Sequence, residues 1–206
     1  MAVTDEPAGP DPAHADPSPA KEYGWVALLT SVLGLWASAA LAVDYIRRLA
    51  DEEYVASCDI NPMIGCGLFL DSPAASTFAI PNVIVGVAAF PVMATLAVLL
   101  LTGARFPVWV WRGMTVGTLF GVGFVTYLQY QAMFVLHGLC PWCLVIWVVM
   151  IPLFVHTTTR AGEAGALGKG SRQGWVKNRW IITVLWYLII IGAIMLTLGA
   201  DLIAAL

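Results

Sequence analysis

Residues 137–150 read HGLCPWCLVIWVVM. Two cysteines, Cys140 and Cys143, bracket a Pro-Trp pair, and an unbroken apolar run follows. A Cys-x-x-Cys is ordinarily a metal clip or a redox dithiol in water-accessible protein, whereas this one stands at the head of a stretch apolar enough for lipid. The spacing predicts a helix that starts here, with Cys140 at the N-cap, Pro141 at N1 and Cys143 in the first turn. Proline suits N1 because its missing N–H would be unpaired there in any case. The free N–H groups and the positive helix end favour a thiolate, the nucleophile of disulfide exchange. A structural disulfide closing the turn is the plainer alternative, but so short a ring constrains little of the unfolded chain.

The rest of the chain fits a membrane setting. Of its 206 residues 60% are hydrophobic and 11% charged, against about half and about a quarter in soluble domains. Apolar runs of about twenty residues match a hydrocarbon core of roughly 30 Å. The expected fold is all-α and polytopic, with spans at about 25–46, 80–101, 114–136, 141–155 and 180–202. Residues 1–22 are rich in Pro, Ala and Asp and predict a disordered tail holding His14. A core at 23–157, a linker at 158–179 and a fifth helix at 180–206 complete the organisation. The first run is too long for a signal-peptide core, and the acidic tail before it is the wrong flank.

Lysine and arginine set the expected orientation. With the N-terminus in the cytoplasm, Lys21, Arg105, Arg112, Arg160, Lys169, Arg172, Lys177 and Arg179 lie inside and only Arg47 and Arg48 outside. The plasma membrane and its lipid are implied as surroundings, with no nucleic acid. The same orientation puts the loop at 49–79 outside, with Cys58 and Cys66, on the side that holds Cys140 and Cys143. Alone, Cys58 and Cys66 would read as an ordinary loop disulfide. A second pair on the same oxidising side makes a relay readable, in which a loop carries electrons from a soluble dithiol to a fixed disulfide. A four-cysteine zinc site is the rival, but a seven-residue gap is not its usual ligand spacing, and no metal is expected. The terminal acceptor must sit in lipid, which points to a quinone. Phe78, Asn82, Phe124, Tyr127, Tyr130, Gln131, Phe134 and Trp147 offer aromatic walls and polar groups for it, although most equally suit helix packing.

The order of the pairs, a loop pair after the first span and then CPWC opening the fourth, resembles the vitamin K epoxide reductase (VKOR) family, in particular its bacterial homologues. The string CDINPMIGCGLFLDSPAASTFAIPNVIVG, residues 58–86, is similar to that family's loop and second-helix start. The DsbB family runs its pairs in the reverse order. The resemblance spans about residues 25–156. It implies a four-helix bundle around a quinone, plus a fifth transmembrane helix. It implies that Cys58 exchanges with a soluble partner, that Cys66 attacks Cys140, and that Cys143 lies nearest the quinone. Asn82 matches the family's quinone-carbonyl donor and Ser72 the serine of the lid segment. Trp147 stands where mammalian members have tyrosine, so no phenol is offered there. Many bacterial homologues carry a fused thioredoxin-like domain; its lack here implies a separate, secreted DsbA-like oxidase as partner, and a menaquinone-type acceptor suits a bacterial chain. Quinone or quinone-epoxide reduction as the main purpose, and a non-enzymatic scaffold with inert disulfides, are the alternatives. His137 is a candidate for thiolate support or proton movement. Asp44 is expected to pair with a neighbouring arginine or snorkel, and Asp201 to be interfacial.

Overall fold

A computed structural model describes residues 21–77, 80–167 and 174–205. Helix α1 is Lys21–Ala50, α2 the single turn Gly67–Leu70, α3 Asn82–Leu101, α4 Val108–Tyr130, α5 Pro141–Glu163 and α6 Gly174–Ala205. A 3-10 turn, Pro73–Ser76, follows α2, and a π-helical segment, Gln131–Leu136, prolongs α4. The described residues include five helices long and apolar enough to cross a membrane. The chain is an all-α, multi-pass membrane protein.

Helix α1 packs on α3 and α5, α4 on α5, and α6 on α5. Small residues make the tight α1–α3 approach: a Cβ on Gly34 would strike the Phe90 ring, and one on Gly86 would strike Ser38. Lipid tails are as apolar as leucine, so close backbone approach supplies van der Waals contact that burial alone cannot. Threonine hydroxyls within the spans, including Thr115, Thr118, Thr126 and Thr159, donate to carbonyls four residues back. This satisfies them where no water is present. Large apolar side chains on the outer faces, such as Leu29, Trp36, Ile84, Val92, Leu188 and Ile189, are exposed and are the lipid-facing surface.

Helix α5 runs past the expected end near Val155 to Glu163. The run HTTTR, 156–160, reads as an exit from lipid, yet it is buried in protein: the Thr157 and Tyr23 hydroxyls lie 3.0 Å apart, and the Arg160 guanidinium stacks over Trp111. Neighbouring helices supply the polar partners that lipid withholds. Helix α6 likewise begins at Gly174, before the expected Trp180. His14 and Phe78 lie outside the described residues.

Candidate active site

The loop between α1 and α3 is organised by two acidic or amide side chains. The Asp59 carboxylate accepts the Gly67 N–H at 2.9 Å and the Ala56 N–H at 3.3 Å. The Asn61 side-chain oxygen accepts the N–H groups of Met63 and Ile64, closing an Asx-type turn. Gly65 and Gly67 lie so close to Asp59 that a Cβ on either would collide with its carboxylate. The folded loop then pairs with the segment that precedes α5. Leu139 N–H donates to the Met63 carbonyl at 2.8 Å, and Gly65 N–H to the Leu139 carbonyl at 3.0 Å. Gly138 leaves room for this approach, since a Cβ there would meet Leu68 and the Met63 carbonyl. His137, in the left-handed region at φ 52°, turns the chain off the π segment into this bridge. Its side chain is exposed.

The bridge decides where the sulfurs sit. Cys58 and Cys66 form a disulfide, and Cys140 and Cys143 are thiols. Cys66 Sγ lies 3.1 Å from Cys140 Sγ, with both residues fully buried. Cys140 occupies the N-cap of α5, Pro141 follows at N1, and the Cys140 sulfur accepts the Cys143 N–H at 3.3 Å. Helix α5 therefore presents a free N–H to the sulfur that faces the loop disulfide. A thiolate at that position strengthens the contact. Among the described residues no group of three or more His, Cys, Asp or Glu converges as metal ligands.

Beside the inner pair lies a cavity of about 580 Å³, within the range of small-molecule sites. Its walls come from α1, the α2 segment, α3, α4 and α5, and are almost wholly apolar. It occupies the space between α3 and α4, which share little direct contact. Gly113, Gly117 and Gly121 of α4 line it; a Cβ on Gly113 or Gly117 would meet nothing within 4 Å. At helical spacing this stripe resembles a helix-dimerisation seam, but here it lines the cavity.

Cys143, Asn82, Phe124 and Trp147 line the cavity. The Asn82 amide binds the 3-10 turn and its C-cap: its oxygen accepts the Thr77 N–H at 3.2 Å and its nitrogen donates to the Ala74 carbonyl. Ser72, Tyr127 and Gln131 lie off the wall. The Ser72 hydroxyl turns back to the Phe69 carbonyl, and Gln131 donates to the Tyr127 hydroxyl at 2.9 Å. Polar-bearing wall residues that were not anticipated include Tyr45, Thr118, and Ser38, whose buried hydroxyl has no hydrogen-bond partner among the described residues. Serine in an apolar α1 carries no sequence mark of a cavity wall. Asp44 is also at this end of the bundle. It is buried against the loop instead of pairing with an arginine, and its partners are Tyr54 and Ser57.

A dithiol at a helix N-cap, a disulfide within exchange distance of it and an apolar cavity walled in part by Cys143 define a membrane thiol–disulfide oxidoreductase. A family model described as the vitamin K epoxide reductase family matches residues 25–158. The match covers well over half of the chain and both cysteine pairs. The chain belongs to that family, which works in membranes with thiol–disulfide chemistry and a quinone. A search of curated proteins gives no match.

Proposed function

We propose that this protein is a thiol:quinone oxidoreductase of the plasma membrane, with its N-terminus cytoplasmic and its cysteines at the outer face. It reoxidises a secreted thioredoxin-fold protein and so supports disulfide formation. The observation that carries this reading is the 3.1 Å separation of Cys66 and Cys140 Sγ, with Cys143 on the cavity wall.

The relay follows from thiolate attack on disulfides. A partner thiolate attacks Cys58, and Cys66 departs as a thiolate. The partner's second thiol resolves the mixed disulfide and frees Cys58. Cys66 attacks Cys140 of an oxidised inner pair, and Cys143 departs as a thiolate toward the cavity. Cys58 then attacks Cys66, restoring the outer disulfide and releasing Cys140. Two electrons have moved inward, which leaves the outer pair oxidised and the inner pair reduced, the state seen here. The cavity residues fit a quinone: the walls are apolar, Phe124 and Trp147 are aromatic, and the Asn82 amide stands at the lid end. A quinone bound there, which we take to be of menaquinone type, supplies the two-electron oxidant for the Cys143 side. Cys143 adjoins that space, and the packed loop keeps bulk water from the thiols.

Purified protein in detergent, given dithiothreitol and a short-chain naphthoquinone, is expected to form quinol catalytically. In intact cells a membrane-impermeant thiol reagent is expected to reach the cysteines from outside after reduction. No quinol with any quinone, or labelling solely from the cytoplasm, refutes the proposal. The cavity assignment has its own test. Gly117→Val places its side chain in open space, so the melting temperature is expected to stay within about 2 °C while KM for the quinone rises about tenfold. An unchanged KM moves the quinone elsewhere.

A further inference from the structure

Asp44 is a buried acid that the relay does not use. It lies near the cysteine end of α1 with 2% of its surface exposed. One carboxylate oxygen accepts the Tyr54 hydroxyl at 2.9 Å and the Ser57 N–H at 3.3 Å. The other accepts the Ser57 hydroxyl at 2.8 Å and stands 3.8 Å from Cys58 Sγ. Burying an acid in a spanning helix is costly, and such residues are functional candidates by default. Anchoring the loop would need only a neutral acceptor.

We infer that Asp44 is the catalytic base for Cys58, taking its proton when the outer disulfide is re-formed; the inference rests on the relay proposed above. An ordinary thiol is mostly protonated near neutral pH and must ionise to attack. In the closing step the Cys58 thiol loses its proton to the Asp44 carboxylate. Cys58 sulfur then bonds to Cys66, the Cys66–Cys140 bond breaks, and Cys140 leaves as a thiolate. The electron pair stays with Cys140, and the proton stays on Asp44. A route out is at hand: Ser57 is exposed, and its hydroxyl donates to the carboxylate.

The charged groups nearest Asp44 on its own helix are Arg47, which acts on it electrostatically, and Arg48. Among the described residues neither arginine of α1 hydrogen-bonds to Asp44. Arg47 reaches the Tyr54 hydroxyl and ring. Arg48 is held by Asp71 and the Tyr54 carbonyl. From the loop come Tyr54 and Cys58, and Cys66 and Cys140 pack in the cluster that holds Cys58. Helix α3 carries no ionisable residue.

The test is turnover with dithiothreitol and a short-chain naphthoquinone, from about pH 6 to 9, for wild type, D44N and D44E. Asparagine keeps the size and an acceptor oxygen but cannot take a proton. The variant-to-wild-type ratio cancels the donor's own ionisation. For D44N it is expected to be about 0.01 at pH 6.5 and to climb about tenfold per pH unit toward an ordinary thiol's range near 8.5. D44E keeps a carboxylate, so its ratio stays flat with pH even where it is reduced. A flat D44N ratio, low or near one, makes Asp44 a loop anchor and overturns the inference. A steep D44E ratio overturns it too, and that arm decides alone if D44N fails to accumulate. Wild-type protein with no dithiol-dependent turnover sinks the relay instead.

Discussion

Replacing Cys143 with alanine is expected to abolish catalytic quinone reduction, a loss of about a thousandfold or more, while the purified protein still consumes one equivalent of dithiol. The two halves of that result come from one geometry. The Cys58–Cys66 disulfide does not depend on Cys143 for its existence, so an external dithiol can still reduce it once. The next step needs a Cys140–Cys143 disulfide for Cys66 to attack, and without Cys143 the only intramolecular partner left to Cys140 is a loop cysteine, so no electrons pass on to the cavity. Cys140 remains 3.1 Å from Cys66, so part of the oxidised protein is expected to hold a Cys66–Cys140 disulfide, identifiable by peptide mass after digestion without reductant. The substitution removes a thiol that is in no disulfide here, and its cost in stability is about 1 kcal/mol, the scale of one small buried group. An inert disulfide scaffold predicts the opposite weighting, with stability lost and turnover never present. Retention of more than about a tenth of wild-type turnover sinks the assignment of Cys143 to the cavity side of the relay.

The spans were legible because lipid imposes a single rule, apolar residues for about twenty positions. The head of α5 was legible because proline at N1 and an N-cap are local features. The contact between Cys66 and Cys140 was not legible from spacing. It depends on hydrogen bonds between residues 63–65 and Leu139, remote in sequence, and no periodicity reports such pairing. Asp44 was misjudged for a related reason. On a bare helix the nearest opposite charges are Arg47 and Arg48, yet the loop folds back and brings Tyr54 and Ser57 to the carboxylate first. The α4 residues divide by geometry. Phe124 faces the cavity, and Tyr127, three residues on, is 40% exposed. Gln131 falls in the π-helical segment, where the 3.6-residue register shifts. Which aromatic lines a wall depends on such rotation, and composition is blind to it. The Gly113, Gly117, Gly121 stripe has the spacing of a packing seam and lines a void, because α3 stands off from α4.

The second large effect concerns the outer pair. Cys66→Ser is expected to trap Cys58 in a stable mixed disulfide with a thioredoxin-fold protein whose resolving cysteine has been replaced and whose attacking cysteine is supplied as a mixed disulfide with thionitrobenzoate, which leaves as its thiolate when Cys58 attacks. In the native protein Cys66 is bonded to Cys58 and is the sulfur that cleaves any adduct there. The remaining candidates are badly placed: Cys140 lies against Cys66 at the buried head of α5, and Cys143 is turned toward the cavity. Cys58 sits in a loop whose neighbours Val55, Ser57 and Ile60 are exposed, so an incoming chain has surface to rest on. The adduct is expected to approach one per protein on non-reducing gels and to vanish in Cys58→Ser/Cys66→Ser. Quinone reduction by dithiothreitol should fall by about a thousandfold in Cys66→Ser, because the shuttle between the pairs is gone. The position of the captured partner decides the order of the relay. An adduct on Cys58 makes the loop the entry point and the bundle the exit. An adduct on Cys140 or Cys143 means that the partner reaches the inner pair directly, and the loop disulfide is then a staple whose closeness to Cys140 plays no part in electron flow.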